Sequence, residues 1–237
     1  MSKTILNSRL RSAAGFVRQG AVFADIGTDH AYLPIFLLSE GRISSAHLSD
    51  INEGPLESAR RNVMEAGYLD KSRFYLTDGA EALSGLGITD FAICGMGGEL
   101  IADIIEAAPH LANENINLIL QPMTRQAYLR TYLASHGFII LDESYSYDSG
   151  KYYVCIMARY RGGVRKISPS EAEIGIKKTH PCEKEARIGY LYRRAAALSR
   201  AVRGKGESAE EEKAVLLDVL SYLSELGETP EIEKYVY

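Results

Sequence analysis

Five short apolar or β-branched runs, AVFADI (21–26), AHLSDI (46–51), RFYLTD (73–78), DFAICGM (90–96) and INLILQP (116–122), are each followed by a stretch of helical character. A crossover helix returns the chain to its starting edge, so strands that alternate with helices pair in parallel and are covered on both faces. The rhythm breaks at GFIILDESYSYDSGKYYVCIMARY (137–160), two strand-like runs joined by a turn around Asp148, Ser149 and Gly150. No crossover fits between them, so this pair must be antiparallel. The expectation is an α/β fold with a seven-stranded sheet, parallel except at its last pair.

Helices frame that sheet. ILNSRLRSAAGFVRQG (5–20) reads as a short amphipathic helix before the first strand, and RQAYLRTYLASHG (125–137) stops on Gly137. Beyond Gly162 and Gly163 the composition turns helical and charged: 182–204 and 207–227 form a predicted hairpin separated by Gly204, Lys205 and Gly206. The chain therefore divides into a sheet domain, 1–161, and a C-terminal helical, coiled-coil-like domain, 162–237. The stripe Ile188, Leu191, Tyr192, Ala195 and Leu198 has the spacing of a packing face. Charge follows the same division. Residues 1–158 carry 12 basic and 18 acidic side chains, 159–205 carry 13 and 4, and 206–237 carry 2 and 9. A basic block between acidic ones is either a contact for an anionic partner or a solvated face paired with the acidic tail.

With 46% hydrophobic residues, the 237-residue chain can bury a full core. No apolar run approaches the roughly 20 residues of a membrane span, and the N-terminus lacks a basic-then-apolar leader. A cytoplasmic protein without a membrane contact is expected. Cys94, Cys155 and Cys182 are far apart and odd in number, which fits free thiols in a reducing compartment and no metal site.

FADIGTDHAYLP (23–34) starts like the acidic-x-Gly-x-Gly-x-Gly turn of a nucleotide-binding sheet, with Asp25 and Gly27 in place. Asp29 and Ala31 stand where the later glycines belong. A carboxylate there repels a pyrophosphate and suits a cationic ligand such as S-adenosyl-L-methionine, with its ammonium and sulfonium. The alternative for Asp29, and for His30 beside it, is a helix cap. Other strand ends supply the rest of a nucleoside pocket: Asp50 and Ile51 for ribose, Asp78 and Gly79 for an adenine amine, and Gly95, Met96 and Gly97 beside a reacting group.

Five parallel strands plus a terminal hairpin is also the strand census of the class I, Rossmann-like methyltransferase sheet. DIGTDHAYLP, SDIN, GMGGELI and LILQPM, with Lys151, Tyr152 and Tyr153 and the basic helical tail, closely resemble the bacterial TrmK family of tRNA (adenine-22, N1) methyltransferases over essentially the whole chain. One departure is Met123, where the family often has Asn. The resemblance implies methyl transfer from S-adenosylmethionine to a tRNA adenine, with the C-terminal hairpin helping to hold tRNA. Ring attack needs alignment and removal of a proton from the exocyclic amine. Candidates are Asp29 at the adenine edge or the cofactor ammonium, His30 as a second base, Gln121 hydrogen-bonding the base, and Tyr153 stacking on it or serving as core. Arg9, Arg11 and Arg18 on the first helix, and Arg187, Arg193, Arg194, Arg200 and Arg203 on the tail, are the candidate RNA contacts. Rival functions are a small-molecule methyltransferase and a non-catalytic nucleoside-binding module.

Overall fold

The computed structural model describes residues 5–178, 183–231 and 235; Cys182 and the expected start of its helix lie outside them. Seven strands are present, β1 Ala21–Ile26, β2 Ile43–Asp50, β3 Ser72–Leu76, β4 Asp90–Gly97, β5 Asn117–Thr124, β6 Phe138–Asp148 and β7 Lys151–Tyr160. They form one sheet in the order β3-β2-β1-β4-β5-β7-β6. Pairing is parallel from β3 to β5, while β7 runs antiparallel to both β5 and β6. The expected hairpin is thus inserted with its second strand against β5. The ends shift slightly: β2 begins at Ile43, not 46, and β3 stops at Leu76, where Thr77 leaves the ladder after bonding the Asp50 carbonyl.

Alternation along β1 assigns the two faces. Phe23 enters a core with α1 Ser8–Phe16, α2 Tyr32–Ser39 and α3 Glu53–Glu65. Ala24 and Ile26 face the core that holds α4 Gly98–Ala107 and α5 Gln126–Ser135. α1 is shorter than expected, because the Asn7 side chain caps it by accepting from the Leu10 amide and Val17 is already extended. Buried Ala13, Ala14 and Val17 lay it against the sheet.

After the sheet come α6 Pro169–Ile174, α7 Lys184–Lys205 and α8 Glu210–Glu225. Ser168 and Glu171 close a reciprocal capping box on α6, with Pro169 at its first position. Tyr190, Leu191, Ala195, Leu216, Leu220 and Leu223 belong to the same continuous core as Ile101, Leu129 and Ile156. The helical segment therefore has its buried side chains in the core of the sheet. A buried ion pair sits at the join: Arg130 Nε donates to Glu143 Oε1 at 2.6 Å, Arg130 Nη1 to the Ala172 carbonyl, and the Tyr145 hydroxyl to Glu143 Oε2.

Candidate functional site

The carboxyl ends of β1 to β4 open into one cleft of about 730 Å³, lined from the loop after β1, the ends of β2 and β3, the turn Gly95–Met96, and the start of α1. Asp25, Gly27, Asp29, Asp50, Ile51, Asp78, Gly79, Gly95 and Met96 all line it, as does His30. Gly97 does not: it is the N-cap of α4, set back beside the Thr124 side chain. Lining residues without a distinctive sequence signal include Thr28, Tyr32, Ser49, Leu100 and Ile104.

The loop keeps a glycine-type backbone without the glycines. Gly27 has φ +75°, Asp29 +26° and Ala31 +56°. Ala31 is itself the N-cap of α2 and makes no side-chain cap, so neither Asp29 nor His30 is a helix cap. Asp29 points outward, 69% exposed, with its Oδ2 at 3.5 Å from His30 Nε2. Asn62 Nδ2 fixes the loop from α3 by donating to the His30 carbonyl. Beneath the loop Asp25 is buried, accepting from Thr28 Oγ1 at 2.8 Å. Burial pushes its carboxyl up to about 7; the Thr28 hydrogen bond opposes this and nearby Asp50 adds to it. Asp50 Oδ1 receives the Asn52 amide at 2.8 Å. Cys94 also lines the cleft, yet burial pushes its thiol up to about 12, which removes it as a thiolate nucleophile.

Two of the expected base contacts are placed elsewhere. Gln121 is fully buried; its Oε1 accepts from Arg9 Nη1 at 2.6 Å and from the Gly95 amide at 3.2 Å, so it faces protein and does not reach a base. Tyr153 is half-buried on β7 and does not line the cleft.

The arginines separate into three groups. Arg18 Nε donates to buried Asp90 Oδ1 at 2.8 Å, at the opposite, amino edge of the sheet, and its Nη2 bonds the Thr89 and Asn115 carbonyls; it clamps α1 and is no RNA contact. Arg187 is fully buried between the Tyr145 and Tyr222 rings, with Nη1 on the Lys178 carbonyl and Nη2 on that of Ile176. Arg194 is committed to Glu173 through two bonds of 2.7 and 2.9 Å. Two members of the predicted stripe, Arg187 and Arg194, therefore lie on the packed side of α7, and Arg200 is not on that side. Arg193, Arg200 and Arg203 are exposed, as is Arg11, and Arg9 lies in the cleft. Arg193 Nη2 reaches the Gly150 carbonyl at the tip of the β6–β7 hairpin. Twelve more residues of α7 follow, about 18 Å of helix at 1.5 Å per residue, carrying Arg200 and Arg203 past that tip.

Comparison with known proteins supplies independent findings. Residues 6–156 match a family described as a methyltransferase domain. Over 158 residues the chain is 35% identical to the tRNA (adenine(22)-N(1))-methyltransferase of Bacillus subtilis, a match that covers 67% of this chain and 66% of that protein, just under two thirds. The structure of Streptococcus pneumoniae Sp1610, a candidate tRNA (m1A22) methyltransferase, in complex with S-adenosyl-L-methionine is 36% identical, with a TM-score of 0.76 over 94% of this chain and 100% of that one. M. capricolum TrmK bound to S-adenosyl-homocysteine is 27% identical, with a TM-score of 0.77 over 92% and 98%.

Proposed function

We propose a reaction from one premise: the chain belongs to the methyltransferase-domain family and, within it, to the TrmK-type tRNA (m1A22) methyltransferases. The reaction is transfer of a methyl group from S-adenosyl-L-methionine to N1 of adenine 22 in tRNA. The observation that carries it in this chain is the cleft itself, where Asp25, Asp29, Asp50 and Asp78 converge from the ends of β1, β2 and β3.

The residues present fit that cofactor. Asp50, at the end of β2 beside exposed Ile51, suits a pair of ribose hydroxyls. Asp25 is a buried carboxyl whose ionisation is costly, and a bound cation lowers that cost. Gly27 holds a φ of +75°, which strains any side chain there, and its bare Cα lets the Met96 methyl pack against the loop. Bound in this cleft, S-adenosylmethionine supplies an electrophilic methyl group on a sulfonium.

The chain's own contribution is alignment and negative charge. Adenine N1 is the nucleophile, so no protein nucleophile is required, and the high thiol pKa of Cys94 agrees with that. Methylation at N1 leaves the base with the positive charge that the sulfonium brought in. A carboxylate at the adenine edge stabilises that charge as it arrives, without having to accept a proton first. Asp29, exposed at the lip of the cleft with its carboxylate 3.5 Å from His30, is the residue we assign to this role. For tRNA, α7 offers Arg193, Arg200 and Arg203 on the same edge as the cleft, so a phosphate backbone held there presents its bases to the lip. An adenine inside folded tRNA must be turned out, at a cost of a few kcal/mol that these contacts offset.

Labelled methyl transfer to unmodified tRNA, followed by nucleoside analysis, tests the reading. The expected product is 1-methyladenosine at position 22. Label confined to small metabolites, or no transfer at all, refutes it.

A further inference from the structure

Tyr147 is the most exposed aromatic ring among the described residues, at 54%, and it stands at the tip of the β6–β7 hairpin. A ring of that size turned to solvent on the edge strand of a sheet invites association unless something covers it. Its setting is rigid. Register pairs it with Tyr152, the two ring centroids 4.8 Å apart and the planes tilted by 46°. Tyr152 in turn rests on α7 where Gly189 has no side chain; a Cβ at that position would fall on the ring. A glycine inside a helix costs about 1 kcal/mol against alanine, and here the bare Cα is what seats the ring. The Arg193 guanidinium also lies on Tyr152, 5.8 Å from its centroid, while Nη2 holds the Gly150 carbonyl at 3.0 Å.

Two anchors relate this platform to the rest of the site. Ser8 Oγ donates to the Tyr147 carbonyl at 2.8 Å, and Ser8 lies between Asn7 and Arg9, both of which line the cleft. In the other direction α7 continues past the tip with exposed Arg200 and Arg203. An RNA held on those arginines and reaching the cleft therefore crosses Tyr147. β6 is three strands from β4 in the sheet, about 14 Å at the usual strand spacing. That is too far for the adenine being methylated and within reach of another nucleotide of the same molecule.

We propose that Tyr147, backed by Tyr152 and Arg193, stacks on an unpaired base of the tRNA, and that this second point of contact fixes the register in which adenine 22 reaches the lip. This rests on the tRNA reading above. Arginines answer phosphates, whereas a fixed ring beside a cation answers a base, and stacking accepts any base because each has a π face. Tyr147 thus contributes affinity that salt does not remove, while Arg200 and Arg203 contribute affinity that salt does remove.

Binding of unmodified tRNA to the whole chain across a range of salt concentrations tests this, together with tRNAs that carry 2-aminopurine singly at the loop positions nearest adenine 22. Tyr147→Ala should weaken binding by about 5- to 100-fold, the range of one stacked base, with the salt slope of log affinity unchanged. Tyr147→Phe and Tyr147→Trp should bind within about 3-fold of wild type. Tyr147→Leu keeps an apolar side chain on the strand without a π face and should behave as Tyr147→Ala does. In the wild type one 2-aminopurine position should lose fluorescence on docking, and Tyr147→Ala and Tyr147→Leu should restore it. Affinity unchanged in Tyr147→Ala, a reduced salt slope, Tyr147→Leu binding like wild type, or no probe position that answers to Tyr147 overturns the proposal, as does a variant altered only in self-association. Should Tyr147→Ala fail to fold, Tyr147→Leu reads the same two signals. A wild type that does not bind tRNA refutes the tRNA reading itself, a result distinct from tight binding indifferent to Tyr147.

Discussion

At the residue scale, Asp25 and Asp29 divide the acidic work of the cleft by burial. Buried Asp25 keeps its proton to about pH 7, whereas the unfolded chain releases it near 3.8. Between those values unfolding releases a proton, so stability falls as pH rises from about 4 to about 7 and then levels. Asp25→Asn should flatten that slope, gaining at most about 4 kcal/mol over wild type at pH 8. Denaturant melts across pH check it. A cation binding beside Asp25 favours the ionised form, so cofactor binding near pH 6.5 should release a proton, seen as a buffer-dependent heat in calorimetry, and Asp25→Asn should abolish that release. Exposed Asp29 behaves differently. Its φ of +26° costs a non-glycine residue about 1 kcal/mol, which Asp29→Gly would recover while increasing the freedom of the unfolded chain by a similar amount. Asp29→Gly should therefore leave the thermal midpoint within a few degrees of wild type and lower kcat for methyl transfer by about 10²-fold. Equal kcat would remove Asp29 from the chemistry.

At the scale of elements, α7 has two sides with opposite duties. Arg187 holds carbonyls of the preceding segment and stacks between two tyrosines, so Arg187→Ala should cost about 3 kcal/mol or more in a denaturant melt. Arg200→Ala should change stability by less than about 0.5 kcal/mol, and Arg203→Ala, which removes the donor to the buried Ser199 hydroxyl, by about 1 kcal/mol. Instead each should weaken tRNA binding and reduce the salt slope of log affinity by about 1, provided each neutralises one phosphate. The sequence could not assign these roles. Spacings of seven and six residues put 194 about 20° and 200 about 140° round the helix from 187, so only 187 and 194 share a face, and which face docks depends on β6 and β7, distant in sequence. Gln121 carries the same lesson: a polar residue at a strand end reads as a ligand contact, and only the fold shows α1 lying across it with Arg9. The alternation of strands and helices and the hairpin turn were legible because period and turn chemistry are local. So was the substitution of Asp29 for glycine, whose backbone retains the conformation that the motif implies.

For the whole molecule, the division at 161/162 is one of composition more than of packing. Tyr190, Leu191, Leu216 and Leu220 share a core with the sheet, and Arg130 reaches Ala172 across the join. A chain ended at residue 161 should expose that apolar surface, bind a hydrophobic dye and melt without a cooperative transition, whereas a separable domain would melt sharply. The shared core also makes α7 a rigid extension of the cleft's own scaffold, so RNA held along it has a fixed distance to the lip.

α1 is fastened at both ends, to Gln121 by Arg9 at one edge of the sheet and to Asp90 by Arg18 at the other, with Ala13, Ala14 and Val17 buried between. A strap tied twice does not swing, so spent cofactor has to leave past the exposed lip of Asp29, His30 and Tyr32. With tRNA docked along α7 as proposed above, that lip is covered. Turnover is then obligately sequential, with the modified nucleic acid departing before the demethylated cofactor, and saturating tRNA should lengthen the residence time of S-adenosylhomocysteine measured by stopped-flow displacement.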